Sequence, residues 1–240
     1  MRENIYLQIY TEYSSRIQSG QLVPGTKLPS ESELAEAYKT SRETVRKALN
    51  LLFREGYINK IKGRGSFVLD RTRMDFPVTG LISFQELSGT LGAPSRTLVE
   101  ETVLEPAGSL IARQLHIAEE TPVWKVIRAR EIEEERIILD KDYFRSDIVP
   151  FLSKEIAAGS IYEYLETELD LKISYAKKLI SVEPATGEDQ RLLDLKQYQH
   201  IVVVRNYVYL ENTELFQYTE SRHRLDKFQF VEFARRMRRQ

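Results

Sequence analysis

Residues 28–68 read LPSESELAEAYKTSRETVRKALNLLFREGYINKIKGRGSFV, and this stretch decides the fold of the amino-terminal part of the chain. Ser30 followed by Glu33 has the spacing of a capping box, in which each side chain caps the other's backbone at the start of a helix. The pair predicts a short helix over Glu31–Tyr38, directly after a loop that ends in proline.

The next part of the stretch predicts a second helix over Arg42–Arg54. Ser41 is a helix-capping residue type, and Gly56 is placed to end the helix because glycine readily adopts a left-handed conformation. Apolar residues recur at the spacing of a single buried helix face, at Val45, Ala48, Leu49 and Leu52.

The last part predicts a β-hairpin. Tyr57–Ile61 and Ser66–Leu69 alternate like short strands around Lys62–Gly65, which reads KGRG. An amphipathic helix over Ile5–Ile17 precedes the stretch. Three helices followed by a basic hairpin are typical of a winged helix-turn-helix, in which the third helix enters the major groove of DNA.

Candidate DNA contacts lie at the start and on the polar side of the third helix, and in the hairpin. An arginine fork matches two acceptors of guanine, and a basic, glycine-containing wing suits the DNA backbone or minor groove. An ordinary amphipathic helix with a solvated charged face is the alternative, but the order of caps, helices and hairpin favours DNA binding. The candidates are Ser41, Arg42, Arg46, Lys47, Arg64 and Gly65.

The charge distribution sets the amino-terminal part of the chain apart from the rest, and the composition excludes several functions. Residues 1–73 hold 13 Lys and Arg against 8 Asp and Glu, whereas the remainder holds 22 against 28, so a net charge of −1 conceals a basic head. The chain has no cysteine, and its three histidines lack metal-ligand spacing, so we expect no metal and no cofactor. Without a membrane-spanning run or signal-peptide pattern, we expect a cytoplasmic protein.

The sequence predicts two domains of the α+β class: a winged helix-turn-helix over residues 1–70, a linker over 71–79 and a second domain over 80–240. Hairpins interleaved with helices favour an antiparallel sheet with helices on one side. Predicted strands are Thr97–Leu104, Val123–Ile132, Arg136–Phe144, Ile173–Glu183, His200–Leu210 and Leu215–Leu225; predicted helices are Ser83–Leu91, Ser109–Leu115, Ser160–Leu169, Asp189–Leu193 and Phe228–Arg236.

Two arginines in the second domain indicate an anion site. Arg128 and Arg130 are two apart in a strand and therefore share a face, where their charges repel unless an anion lies between them. Helices beginning at Ser83 and Ser160, the latter with Tyr162 in its first turn, could add N–H donors to a phosphate. The alternative is that the arginines pair with glutamates on an exposed sheet and that both serines only cap helices. The residues alone favour neither interpretation.

An enzymatic function has weaker support. Asp140 and Asp142 share a strand face and resemble a carboxylate pair, but a solvent-facing or sugar-binding role is the favoured interpretation. The chain has no phosphate-binding loop, dinucleotide motif or serine-hydrolase motif. We therefore expect no enzyme, and a lyase-like enzyme remains an alternative.

The quoted stretch resembles the GntR family of bacterial transcription regulators. The matching residues are Leu28–Glu31, Ser41–Leu49, Gly56-Tyr57 and Gly63–Gly65. The second domain resembles the HutC-type effector domain, or UTRA domain, which has a chorismate-lyase-like fold. Its matching residues are Ser83-Phe84, Arg128–Arg130, Ser160–Tyr162 and Tyr218–Phe230. The resemblance implies a homodimeric repressor that binds a palindromic DNA operator and responds to a small-molecule effector.

The resemblance also implies roles for individual residues. DNA contacts fall on Ser41, Arg42, Thr44, Arg46 and Gly65, whereas Ser32 stands where relatives often have a contacting arginine. A phosphate would be held by Ser83, Phe84, Arg128, Arg130, Ser160 and Tyr162, and a sugar would be approached from Asp140, Gln217 and His223. Several relatives have glutamate at the positions of Asp140 and Gln217. This difference implies another sugar and is compatible with trehalose 6-phosphate; another sugar phosphate or an amino-acid derivative is the alternative.

Overall fold

The computed structural model describes residues 4–69, Phe84 and residues 94–230. Backbone contacts divide the chain into two compact units, one containing residues 4–69 and the other containing Phe84 and residues 94–230. The predicted linker over 71–79 and, apart from Phe84, the predicted helix Ser83–Leu91 lie outside the described residues. The predicted domain boundaries therefore stay predictions.

The first unit contains the three helices and the hairpin that the sequence predicts. The hairpin is antiparallel and pairs Ile58 with Val68 and Ile61 with Gly65. Its apolar core joins the first and third helices to the hairpin through residues such as Ile9, Leu52 and Ile58. The elements are α1 (Ile5–Gln18), α2 (Glu31–Ala37), α3 (Arg42–Arg54), β1 (Ile58–Ile61) and β2 (Gly65–Val68).

Local signals account for the bounds of α2 and α3. The backbone N–H of Ser30 donates to Glu33 Oε2 at 2.7 Å, and that of Glu33 donates to Ser30 Oγ at 3.3 Å, which confirms the capping box. Ser41 caps α3, and the predicted apolar face is buried. Gly56 follows α3 with a φ of +75°, the left-handed conformation expected of it.

The second unit is built on one six-stranded antiparallel sheet in the order β3-β4-β5-β8-β7-β6. Each pair of neighbouring strands is antiparallel, as predicted from the sequence. The elements are β3 (Ser95–Pro106), α4 (Gly108–Leu115), β4 (Pro122–Ile132), β5 (Glu135–Arg145), α5 (Lys154–Ala158), α6 (Ile161–Thr167), β6 (Ile173–Pro184), α7 (Gly187–Leu192), β7 (His200–Leu210) and β8 (Leu215–Arg224).

Helices cover both faces of this sheet, so the prediction of helices on one side was wrong. On the front face, α5 and α6 pack against side chains such as Val126, Phe144 and Val208. On the back face, α4 packs near Tyr218, and α7 packs near Leu139. The reason is that the strands carry large apolar side chains at both alternating sets of positions, and each set requires its own cover.

One helix was missed, and two local predictions need correction. Helix α5 was not predicted because its five residues are too few to show a helical period, and Ser153 caps it by accepting from Ile156 N at 3.2 Å. The spacing of Ser160 and Glu163 also predicts a capping box; Ser160 caps α6 by accepting from Glu163 N at 3.2 Å, but the return bond from the Ser160 backbone to Glu163 is not formed. Residues 228–230 are irregular, and the rest of the predicted helix Phe228–Arg236 lies outside the described residues.

A buried ion pair fixes β8 to α7 on the back face. Arg222 donates from Nε and Nη2 to the two carboxylate oxygens of Asp189, at 2.7 and 2.8 Å. Burial favours the neutral acid, but hydrogen bonds from Arg222 and Thr186 hold the pKa of Asp189 below its ordinary value. The side chains of Ser221 and His223, on either side of Arg222, therefore project to the front face from a strand that is anchored behind.

The capping box gives a direct test of how α2 is stabilised. We expect Ser30→Ala to lower the free energy of unfolding of the first unit by about 1 kcal/mol, because the backbone N–H of Glu33 loses its capping acceptor. The measurement is urea denaturation of the full chain followed by a signal from the first unit. Ser32→Ala, an exposed position in the first turn of the same helix, is the control and should change little. Equal losses in the two variants would show that the cap is not the cause.

Candidate DNA-binding surface and effector site

The N-terminal end of α3 presents an exposed cap and two exposed cations. Ser41 Oγ accepts from the backbone N–H of Thr44 at 3.1 Å and lies 2.9 Å from Thr44 Oγ1, so the two hydroxyls form one capping unit. Arg42 and Lys47 are exposed, and within residues 4–69 neither forms an ion pair. Arg42, in the first turn, is thus available to a partner at the helix end.

Arg46 is exposed but already paired. Its Nη2 lies 3.1 Å from Glu31 Oε2 on α2, and its Nη1 lies 3.0 Å from Glu43 Oε2. Hydrogen bonding to Glu31, supported by the charge of Glu43, raises the pKa of Arg46. A DNA contact from Arg46 would have to replace these bonds, so Arg46 also positions α2 against α3.

The hairpin turn is shaped by two glycines in the left-handed region. Gly63 and Gly65 have φ angles of +76° and +106°. A Cβ at Gly65 would lie 3.2 Å from Cε of Lys27, so the absence of a side chain at Gly65 leaves room for Lys27. Lys27 was not predicted from the sequence as a DNA-contacting residue. The guanidinium of Arg64 lies 5.7 Å from the ring centre of Phe67. The wing therefore combines a glycine turn with two cations.

Arg128 is buried on the front face of the sheet. It is 7% exposed, and its Nη2 donates to Asp142 Oδ2 at 2.6 Å. Its Nη1 donates to the carbonyl of Ala157 in α5 at 3.3 Å. The Nε–H is buried and has no hydrogen-bond partner within the described residues. One strong donor of this arginine is therefore unsatisfied.

Arg130 is buried beside Arg128. Its Nε donates to Asp140 Oδ2 at 2.8 Å, and its Nη1 donates to Thr97 Oγ1 on β3 at 2.6 Å. The ring of Phe84 lies 4.7 Å from the guanidinium carbon. Burial, together with the neighbouring charge of Arg128, lowers the pKa of Arg130 to about 10. It remains protonated at neutral pH.

Asp142 connects Arg128 to β8. Its Oδ1 accepts from Thr219 Oγ1 at 2.7 Å and from Gln217 Nε2 at 3.0 Å. Gln217 Oε1 in turn accepts from the hydroxyl of Tyr162 in α6 at 3.1 Å. Burial, with the charge of Asp142 nearby, raises the pKa of Tyr162, so this hydroxyl stays protonated and donates.

A second chain of hydrogen bonds runs from Asp140 to His223. Ser221 Oγ donates to Asp140 Oδ1 at 2.5 Å and lies 3.0 Å from His223 Nε2. A hydroxyl has one proton, so this arrangement assigns the donor role in the second bond to Nε2. Burial lowers the pKa of His223 to about 4. Burial opposes ionisation of Asp140, but Arg130 and Arg128 outweigh it and lower the pKa of that carboxyl.

The structure brings most of the sequence-predicted effector residues together in two hydrogen-bonded chains, which begin at the neighbouring Arg128 and Arg130 and are here called the network. The side chain of Ser160 caps α6, and Ser83 lies outside the described residues. The interpretation of the arginines as partners of exposed glutamates was wrong, because both are buried and paired with aspartates; for the same reason the solvent-facing role of Asp140 and Asp142 was wrong. Joined by contacts are Phe84, Arg128, Arg130, Asp140, Tyr162, Gln217 and His223.

Four residues of the network were not among the predicted effector-site residues. Thr97, Thr219 and Ser221 were missed, and Asp142 was considered only as part of a carboxylate pair. The missed residues share the front face with the predicted ones, and strand alternation was the available signal: Asp142 is two residues from Asp140, and Thr219 and Ser221 follow Gln217 at steps of two. Thr97 is recognisable only once the register places it opposite Arg130. The same network contains two arginines and two aspartates, so its fixed charges cancel.

Among the described residues, no cluster of three or more His, Cys, Asp or Glu side chains has the arrangement of a metal site. In the same part of the chain, no helix has the length and apolar character needed to cross a bilayer.

Comparison with known families and proteins agrees with this architecture. Residues 5–68 match the family described as bacterial regulatory proteins, gntR family, and residues 90–229 match the UTRA domain. The chain is 56% identical to the HTH-type transcriptional regulator TreR of Bacillus subtilis (strain 168), over 98% of this chain and 99% of the relative. It is 30% identical to the HTH-type transcriptional repressor NagR of the same organism, over 97% and 96% of the two chains.

Solved structures give the same result. The crystal structure of the possible transcriptional regulator YydK from Bacillus subtilis aligns with a TM-score of 0.80 at 27% identity, over 96% of this chain and 99% of that chain. The effector binding domain of the B. subtilis trehalose repressor (TreR) aligns with a TM-score of 0.56 at 59% identity, over 60% of this chain and 99% of that chain.

The molecule is a DNA-binding transcriptional regulator with a helix-turn-helix head and an antiparallel-sheet domain. It belongs to the GntR family, in the HutC-type group that carries a UTRA domain. This confirms the family and fold class predicted from the sequence. The relatives are named as transcriptional regulators, and the alternative of a lyase-like enzyme is set aside on that ground.

The depressed pKa of His223 predicts a pH dependence of stability. An unfolded histidine titrates near 6.5 and the folded one near 4, so between these values the unfolded state binds more protons. The contribution of neutral His223 to the free energy of unfolding is therefore fully present above pH 6.5. It falls as the pH drops toward 4, by ~2 kcal/mol at pH 5. Urea denaturation at pH 7.5 and 5.0 measures this change.

His223→Gln should remove most of that change, because glutamine does not titrate. His200→Gln is the control, since His200 is exposed on the same sheet, at the start of β7. If both variants kept the dependence of the parent chain, the titrating group would lie elsewhere.

Proposed function

We propose that this regulator represses a trehalose utilisation operon in the cytoplasm as a homodimer and is released from its palindromic operator by trehalose 6-phosphate. Support comes from the similarity to TreR over nearly the whole chain and from 59% identity to the TreR effector binding domain. The stretches that resemble the trehalose operon repressor include Ile138–Phe144 and Phe216–Arg224. Both contribute front-face residues to the network described above.

The buried arginine pair is the observation that carries the effector assignment. Arg128 and Arg130 lie on one face, are almost fully buried and hold their charges against single aspartates. A phosphate offers more acceptor oxygens than one carboxylate and satisfies two guanidiniums at once. The unpartnered Nε–H of Arg128 is a donor that such an anion would satisfy.

Release follows from competition for these arginines. When phosphate replaces the carboxylates, Asp140 and Asp142 lose their arginine partners, and the oxygens that faced the arginines become available to sugar hydroxyls. Arg128 also contacts α5 through Ala157 O, so a change of its partners is transmitted to the front-face helices. The effector dissociates the complex only if it binds the DNA-free arrangement of the dimer more tightly than the DNA-bound one.

The residue assignments of the proposal follow the sequence analysis. The operator is contacted by the cap and exposed face of α3 and by the wing, with the two heads on two half-sites. The DNA-contacting residues are Ser41, Arg42, Thr44, Arg46, Lys47, Arg64 and Gly65; the effector-binding residues are Ser83, Phe84, Arg128, Arg130, Asp140, Ser160, Tyr162, Gln217 and His223.

Effector release is tested by gel shift on a palindromic operator with and without trehalose 6-phosphate. We expect the parent chain to dissociate at saturating effector. In Arg128→Gln with Asp142→Asn, both partners of one buried ion pair are neutralised, so no buried charge is left alone. This double variant should keep operator affinity and lose the response.

The matched control neutralises an ion pair on the back face, Arg205→Gln with Glu183→Gln, whose charged atoms lie 2.6 Å apart. It should respond like the parent. Unchanged DNA affinity of the parent chain at saturating effector would rule out induction by this compound, and a normal response of the front-face variant would place the phosphate elsewhere.

The exposed position of Arg42 at the start of α3 leads to a separate prediction. Arg42→Ala should cost roughly 1–3 kcal/mol of operator binding, concentrated at one base position, because a bidentate contact to guanine is lost. Binding to a set of operators with single base changes measures this. Arg54→Ala, at the other end of the same helix, should leave the base preference intact. Equal weakening of Arg42→Ala on all sequences would identify Arg42 as a phosphate contact.

A further inference from the structure

Asn206 on β7 has an unexplained buried acceptor. Its Oδ1 is shielded from solvent and has no hydrogen-bond partner within the described residues. A buried polar atom without a partner costs stability, so its presence needs an explanation. The side chain as a whole is only half-buried, which leaves part of it accessible.

The strand register places Asn206 in line with the effector network. Asp142 lies opposite Thr219, and Thr219 lies opposite Asn206, in adjoining strands with unbroken pairing. All three side chains therefore project from the front face. The guanidinium of Arg128 leans into the same row, because its Nη2 binds Asp142. A polar row thus runs across the sheet from Arg128 to Asn206.

The length of this row distinguishes between ligands. Arg128 on β4 and Asn206 on β7 are separated by three strand spacings, or about 14 Å across the sheet. The proposed sugar-contacting side chains Asp140, Gln217 and His223 lie on β5 and β8, so Asn206 is one strand further from the arginines. A single ring that contacts those three side chains lies over β5 and β8, and a second linked ring extends over β7.

We propose that Asn206 forms a distal sugar subsite, in which Oδ1 accepts a hydroxyl of the second ring of a phosphorylated disaccharide. This inference rests on the proposed function and adds to it the means by which a disaccharide phosphate is distinguished from a monosaccharide phosphate. An amide suits the task, since it accepts and donates and carries no charge that would repel the phosphate.

Helices α5 and α6 cover the part of the front face next to the subsite. Helices α5 and α6 pack on the front face against Val208, two residues along β7 from Asn206. Two bonds join these helices to the polar row, from Arg128 to Ala157 O and from Tyr162 to Gln217. A ligand that takes over Arg128 breaks the first, so occupation of the near end of the row loosens the cover of the far end.

The test is calorimetric titration of the full chain with trehalose 6-phosphate and with glucose 6-phosphate. Asn206→Leu removes the acceptor at similar size. We expect it to weaken trehalose 6-phosphate about tenfold and to leave glucose 6-phosphate unchanged. The same substitution should raise the urea midpoint of the free protein, because the unpartnered atom is gone. Asn206→Ser, which is too short to reach the second ring, repeats the test with a polar residue.

The matched control is Thr102→Val on β3, which removes another buried oxygen without a partner in the described part of the chain. It should raise the urea midpoint and leave the ratio of the two affinities as in the parent. An unchanged ratio in the Asn206 variants overturns the distal subsite while the proposed function stands. A parent chain that binds neither sugar phosphate overturns both.

Discussion

The pairing of two buried arginines with aspartates is the constraint on which the second domain depends. Arg128 and Arg130 cannot remain buried as charged groups unless each meets an anion, and the sheet supplies Asp142 and Asp140 for that purpose. These aspartates then require donors of their own from β8. The consequence is a front face whose polar groups are almost completely committed to each other, so an incoming anion competes with carboxylates already in place.

The basic head follows a different principle. Its candidate DNA contacts are exposed, whereas helix caps and an apolar core stabilise the fold beneath them. Arg46 is the exception, since Glu31 and Glu43 hold it between two helices. Among the candidate contacts, Arg42 forms no ion pair within residues 4–69, whereas Arg46 would have to give up its internal partners before it could bind DNA.

Sequence patterns predicted the head almost completely, because its signals are local. The capping box at Ser30, the apolar period of α3 and the glycine after it are each contained within a few residues. The strands of the second domain were also predictable from alternation. The assignment of helices to one side of the sheet was wrong, since the choice of face depends on both sets of alternating side chains and on long connections. The partners of Arg128 and Arg130 depend on a register between strands, which no short pattern contains.

The ion pair between Arg222 and Asp189 has a wider consequence. Ser221 and His223 face the polar row, while Arg222, between them, is anchored to α7 behind the sheet. One peptide step thus separates a side chain on the front face of the sheet from one on the back face. If the front face binds the effector as proposed, a substitution in α7, or a molecule that docks there and tilts that helix, changes the effector affinity although no front-face residue is replaced.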